Sequence, residues 1–212
     1  MLITFEGIDG SGKSTQARLL VEHLRSEGHA TMLVREPGGT TLSERIRTLL
    51  LDPALDIDPF AELLLFSAAR AQLVTEKIRP ALEAGRIVVC DRFYDSTTAY
   101  QGAGRQLEAP DWLRAFHAKV TGGLVPDRTY LVEVPPAVAQ ARREGASDGT
   151  TNEASAPDRM EAGGLDFYRR VAAAYAMLAE EESDRFVRLD GEHSIDALHA
   201  TIWADVQALM AA

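Results

Sequence analysis

Residues 1–15 read MLITFEGIDGSGKST, and this stretch decides the fold. Leu2–Phe5 is a short apolar, β-rich run, and Leu19, Leu20, His23 and Leu24 repeat behind it at helical spacing. Between them Gly7-Ile8-Asp9-Gly10-Ser11-Gly12-Lys13-Ser14 fits G-x-x-x-x-G-K-[ST] without a mismatch. The order strand, glycine loop, helix is the context in which that motif cradles phosphate. Glycine lets successive backbone N–H groups turn inward on one anion, and the following helix adds the positive end of its dipole. Lys13 would reach the β- and γ-phosphates, and the Ser14 hydroxyl would hold Mg²⁺. Residues Gly7 through Thr15 are therefore the expected binding loop for a nucleoside triphosphate.

Outward from this loop, strand and helix patterns alternate. Ala30–Val34, Arg86–Cys90, Thr129–Val134 and Phe186–Leu189 are further strand candidates, and Ile87–Cys90 is apolar throughout, as in a strand buried on both faces of a parallel sheet. Leu42–Leu51, Phe60–Ala84, Asp111–Thr121, Leu165–Glu182 and Ile195–Met210 carry the helical period, with a further helix entry at Pro136–Arg143. Pro80 should kink the longest of them or end its regular part. Glu144–Pro157 has almost no apolar periodicity and reads as a mobile loop, long enough to require a functional reason. The pattern predicts an α/β chain: a three-layer α/β/α P-loop NTPase fold with a five-stranded parallel sheet and a lid insertion. Ligands would sit beyond the carboxyl ends of the strands.

Composition sets bounds on function. The chain has 212 residues, 46% of them apolar and 25% charged, which suits one well-buried globular unit. A net charge of −10 argues against nucleic acid as a partner. All but three of the 22 basic residues are arginine, the side chain that grips phosphate with two parallel bonds. The single cysteine, Cys90, lies inside an apolar strand, excludes an intrachain disulfide and fits a reducing compartment. No signal-peptide pattern precedes the first strand and no apolar run nears membrane-spanning length, so the expectation is a cytoplasmic protein without a membrane partner.

Two further groups carry chemistry. Asp91 closes the apolar run Ile87–Cys90, the position of a second carboxylate that would orient Mg²⁺, and Arg92 beside it would clamp a second phosphate. Phe66 and Arg70 stand four apart on one helix face. Spacing alone favours a core phenylalanine and a solvated arginine, although an aromatic ring and a fork of donors at that spacing can stack on a base and read its carbonyl oxygen.

Three segments, in this order, resemble the signature of the thymidylate kinase family: Phe5–Gln16, Arg35-Glu36-Pro37-Gly38-Gly39-Thr40, and Asp91-Arg92-Phe93-Tyr94-Asp95-Ser96-Thr97-Thr98-Ala99-Tyr100-Gln101-Gly102. Asp158-Arg159-Met160-Glu161 followed by Phe167-Tyr168 is similar to the exit of that family's lid. The resemblance implies one nucleoside monophosphate kinase domain over residues 1–212 with a lid at roughly 143–160, ATP as phosphoryl donor, Mg²⁺, a homodimer, and phosphoryl transfer to thymidine monophosphate in dTTP synthesis. It implies that Phe66 stacks on thymine, Arg70 bonds its exocyclic oxygen, and Ser96, Thr97 and Gln101 line the same pocket. Tyr100 would press where a 2′-hydroxyl would sit, Glu36 and Pro37 would shape the floor, and Arg92 and Asp9 would meet the acceptor phosphate and sugar.

The chain also departs from the family pattern. Position 10 is glycine, where one branch places an arginine beside the transferred phosphate, and the other branch supplies arginines from the lid. Here the segment 144–158 holds neither arginine nor lysine, which leaves Arg142, Arg143 and Arg159 as candidates, Arg142 toward the nucleotide and the other two toward the reaction. Glu133 stands where the family has aspartate. A GTPase-like switch would need Asn-Lys-x-Asp, which the sequence lacks. A kinase for another nucleoside monophosphate and a non-catalytic relative are the remaining readings.

Overall fold

The computed structural model describes residues 1–107, 110–147 and 164–211. Five strands, β1 (Leu2–Glu6), β2 (Thr31–Arg35), β3 (Ile87–Asp91), β4 (Arg128–Glu133) and β5 (Phe186–Asp190), form one sheet in the order β2-β3-β1-β4-β5. Every pairing is parallel, with Phe5 level with Asp91 on one side and Tyr130 on the other. Each expected strand is present. From β1 the chain crosses to β2 on one side; from β3 it crosses to β4 on the other. The connections therefore diverge between β1 and β3, and the crevice beyond their carboxyl ends is where such a sheet binds ligands.

Strand alternation sends Ile3 and Phe5 to one face, where they pack with Leu20 and Leu24 of α1 (Lys13–Ser26) and Ile202 of α9 (Ile195–Ala211). Leu2, Thr4 and Glu6 point to the other face, which is covered by α3 (Pro59–Leu73) and α8 (Gly164–Glu181). Burying a side chain such as Leu20 contributes about 1.5–3 kcal/mol. Helix α2 (Thr41–Leu51) is capped by Thr40, whose hydroxyl accepts from the Ser43 N–H, and α3 by Asp58 with Pro59 in its first turn.

The long helical stretch continues past α3 through a π-helical turn, Val74–Ile78, into α4 (Arg79–Glu83). Pro80 does not end the helix. Its ring would collide with the carbonyl four residues back, and the wider turn just upstream relieves that collision. A second π-helical turn, Thr98–Gly104, extends the short α5 (Tyr94–Thr97) and carries Tyr100 and Gln101. Buried Arg185 at the head of β5 ties α5 to the sheet: its two terminal nitrogens donate to Asp95 at 2.8 Å each, and Nη1 also donates to the Thr129 hydroxyl at 2.7 Å. That anchor holds Ser96 and Thr97 in register with the strand ends. Helices α6 (Pro110–Thr121) and α7 (Pro136–Ser147) complete the described elements. None of the described helices is long and apolar enough to cross a membrane. Most of the segment read as a lid, and Arg159 with it, lies outside the described residues.

Candidate active site

The phosphate loop takes the shape its glycines allow. Gly10 and Gly12 have φ of 86° and 99°, in the left-handed region. Gly12 caps α1 without a side-chain hydrogen bond, and no acidic residue sits in the first turn. The N-terminus of α1 is thus left for an anion. Lys13, only 5% exposed, folds back along the loop, with Nζ 3.4 Å from the Ile8 carbonyl and 3.5 Å from Asp9 Oδ1. Burial and then the Arg92 charge push the Lys13 ammonium below its usual range, against the pull of Asp9, Asp91 and Glu6.

Arg92 is the hub. It sits at φ 72°, strained for any residue with a Cβ. Nη2 donates to Asp9 Oδ1 at 2.6 Å and Tyr100 Oη at 3.0 Å, and Nη1 to the Gly7 carbonyl at 3.0 Å and Tyr175 Oη at 3.2 Å. Burial would raise the Asp9 carboxyl, but Arg92 and Lys13 outweigh it and hold it well below the usual range. Behind Arg92 lies Glu6, fully buried, which accepts from the Phe93 N–H at 2.7 Å, Ser96 Oγ at 2.6 Å and Tyr175 Oη at 2.7 Å.

Asp9, Lys13, Ser14, Glu36, Pro37, Phe66, Asp91, Arg92, Ser96, Thr97, Tyr100 and Gln101 line one cavity of about 250 Å³. Asp9 comes from the loop after β1, Lys13 and Ser14 from α1, Glu36 and Pro37 from the loop after β2, and the rest from α3, β3 and the α5 segment, so these residues converge from separate parts of the chain. Arg70 does not line it. Its guanidinium is 1% exposed behind the wall, donating to Glu36 at 2.7 Å, Thr97 Oγ1 at 3.0 Å and the Phe93 carbonyl at 3.1 Å. The Glu36–Pro37 peptide is cis. For a metal, Asp91 Oδ1 is buried without a partner among the described residues, and Ser14 lines the same cavity. One carboxylate and one hydroxyl fit Mg²⁺, which keeps waters and phosphate oxygens as its other ligands.

A family model described as thymidylate kinase matches residues 5–202. The chain belongs to the thymidylate kinase family. It is similar to the thymidylate kinase of Deinococcus radiodurans, 49% identical over 208 residues that span 97% of this chain and 96% of the relative. The thymidylate kinase of Chlorobium luteolum is 48% identical, with 95% of this chain and 94% of the relative covered. The crystal structure of thymidylate kinase from Ehrlichia chaffeensis superposes with a TM-score of 0.77 at 35% identity, covering 98% of both chains. The chain is therefore a kinase.

Within the thymidylate kinase fold, the glycine at position 10 has a steric cause. A Cβ there would come within 2.5 Å of the Ala139 carbonyl on α7, so this helix packs directly on the loop. The same closeness brings in its arginines. Arg143 Nη1 donates to the Asp9 carbonyl at 2.9 Å and its guanidinium lies 4.5 Å above the Tyr168 ring; Arg142 Nη2 donates to the Gly191 carbonyl at 2.9 Å, with Nη1 3.5 Å from that of Ser11. Glu133 is engaged by Arg188 at 2.8 and 2.9 Å, an exposed ion pair across β4 and β5. Sequence reasoning missed Glu6 and Tyr175. A glutamate ending an otherwise buried strand was the available signal for the first; nothing local marked the second.

Glu6 gives this thymidylate kinase a pH signature. Burial and the Asp95 charge push its carboxyl from 4.5 up to about 7, against Arg92 and the bonds from Ser96 and Phe93. Between those values the folded state binds the proton that the unfolded state has lost, so Glu6's contribution to stability falls as pH rises through the window. Glu6→Gln, neutral throughout, is expected to gain thermal stability relative to wild type on going from pH 5 to pH 8. Melting curves of both proteins at the two pH values test this, and a relative loss at pH 8 contradicts it.

Proposed function

We propose that the chain transfers the γ-phosphoryl group of ATP to thymidine monophosphate, giving ADP and thymidine diphosphate, a step toward dTTP. The observation that carries this reading is the meeting, in one cavity, of a phosphate-loop lysine with Arg92, Phe66 and Tyr100. A donor-phosphate site and an acceptor site of nucleotide character share a wall there.

The chemistry is positioning and charge cancellation. The acceptor phosphate is anionic at neutral pH, so no general base is required to make it a nucleophile. Arg92 holds that phosphate, and its bond to Asp9 keeps the guanidinium aimed while the site waits for substrate. Lys13 meets the β- and γ-phosphates, and the backbone from Gly7 to Thr15 supplies N–H donors. Arg142 supports the donor nucleotide; Arg143 and Arg159 approach the transferred group. When bound at Ser14 and Asp91, Mg²⁺ supplies charge neutralisation of the donor phosphates. Phe66 stacks on the base, Arg70 and Glu36 brace Thr97 against it, and Tyr100 crowds the sugar 2′ position. The segment 143–160 acts as a lid that excludes water, within a single kinase domain over residues 1–212. Exposed Phe60 and Leu64 on α3, with Trp112 of α6 beside Phe60, suit a homodimer face. The setting is cytoplasmic.

The test is ADP release from ATP and Mg²⁺ across the common nucleoside monophosphates. Strong preference for thymidine monophosphate is the expected result. Preference for another acceptor keeps the kinase and overturns the base pocket; turnover of none overturns the reading.

A further inference from the structure

Glu62, on α3, is a charged residue inside the core, 0% exposed, and no part of the phosphate chemistry requires it. Its Oε1 accepts from Gln101 Nε2 at 2.8 Å, and Arg105 donates to Oε1 and Oε2 at 3.2 Å each. Gln101 is itself 2% exposed and lines the cavity beside Phe66, Thr97 and Tyr100. A glutamine amide has a donor end and an acceptor end of nearly equal size, and nothing in its shape decides which way round it sits. A carboxylate paired with arginine decides it, because it can only accept. The NH₂ end must face Glu62, and the end turned away from Glu62 is the carbonyl oxygen.

We propose that Glu62 is a positioning residue for base selection: it fixes the polarity of Gln101 so that the cavity offers an acceptor to the base edge. The inference rests on reading this cavity as the acceptor-nucleotide site. An acceptor there favours a pyrimidine whose ring N3 carries hydrogen, as in thymine, and opposes cytosine, whose N3 has a lone pair. A polar group met by the wrong partner in a buried site costs more than a missing contact. The same helix face sets a second polarity. Arg70, two turns beyond Glu62, donates to Thr97 Oγ1, which leaves the Thr97 hydrogen to donate elsewhere. Glu62, Phe66 and Arg70 recur at every fourth residue, so one stripe of α3 supplies the stacking ring and both orienting charges.

The variant Glu62→Gln removes the preference, since glutamine can pair with Gln101 either way round. The measurement is kcat/KM with ATP for thymidine monophosphate and for deoxycytidine monophosphate, on wild type and variant. The expected result is a fall in the ratio of the two by about tenfold or more, with deoxycytidine monophosphate gaining in absolute terms. A variant that loses equally on both acceptors overturns the proposal, because a purely structural glutamate would act that way. Should loss of the Glu62 charge beside Arg105 prevent folding, the double variant Glu62→Gln, Arg105→Gln carries the same expectation. Wild-type enzyme that does not distinguish the two acceptors overturns the cavity reading itself; a wild-type preference that E62Q leaves intact overturns only the part given to Glu62.

Discussion

Lys13→Ala lowers kcat by about a hundred- to a thousandfold while the protein stays folded. The loss follows from where the ammonium sits. Lys13 is buried at the mouth of the phosphate loop, close to Arg92, and its only side-chain partner among the described residues, Asp9, is 3.5 Å away. Asp9 has a shorter bond to Arg92 at 2.6 Å, so it keeps a cation when Lys13 is removed. In the free protein Lys13 carries a desolvation cost and repulsion from Arg92, both visible in its lowered pKa. Phosphate would offset both. Truncation therefore removes stabilisation that the transition state uses and relieves a burden that the free protein carries. Melting temperature without nucleotide should hold or rise slightly, and the rise in melting temperature on adding ATP should shrink. Near-wild-type kcat would sink the assignment of Lys13 to the phosphates. Loss of kcat together with a collapsed melting temperature would mean that the lysine is structural.

How much of this was readable in the chain depends on whether the information was local. The strands were, because residues buried on both faces form unbroken apolar runs such as Ile87–Cys90, and the phosphate loop was, because its glycines answer a backbone demand at fixed spacing. The π-helical turn at Thr98–Gly104 was not. Thr-Ala-Tyr-Gln-Gly-Ala-Gly is a poor helix former, and tertiary contact decides its shape: a Cβ on Gly104 would lie 2.6 Å from the Phe167 ring of α8. The place of Arg70 was legible only in part. Its spacing from Phe66 puts both on one side of α3, but burial by Glu36, Thr97 and Phe93 turns the guanidinium into a brace behind the cavity wall. Glu6 and Tyr175 meet across 169 positions of sequence, and no local pattern announces a pairing of that kind. Glu133 shows the converse. An acidic residue at a strand end where the family has aspartate had no role legible in the sequence, and its partner turns out to be Arg188 on the neighbouring strand.

Arg92→Gly and Arg92→Ala should both lower kcat/KM by about a thousandfold or more, and they should differ in stability. Arg92 makes five bonds to groups around the cavity, the longest to Ser96 Oγ at 3.4 Å, and in use its planar fork would exchange part of them for the acceptor phosphate. Either variant deletes that clamp. The backbone distinguishes them: at φ 72° alanine keeps the steric conflict that arginine tolerates, and glycine has none. Arg92→Gly should therefore be more stable than Arg92→Ala by about 1 kcal/mol in denaturant titrations, although glycine usually costs stability relative to alanine. A pH dependence separates the side chain's own share. Arg92 holds the Asp9 carboxyl below its usual range, so their attraction stabilises wild type above the ordinary carboxylate pKa and is lost as pH falls through the lowered one. The stability gap between wild type and either variant should narrow below about pH 4. If alanine proves as stable as glycine, the strain at Arg92 is not borne by its backbone; if the gap stays constant into acid, Asp9 is not the partner through which Arg92 stabilises the fold.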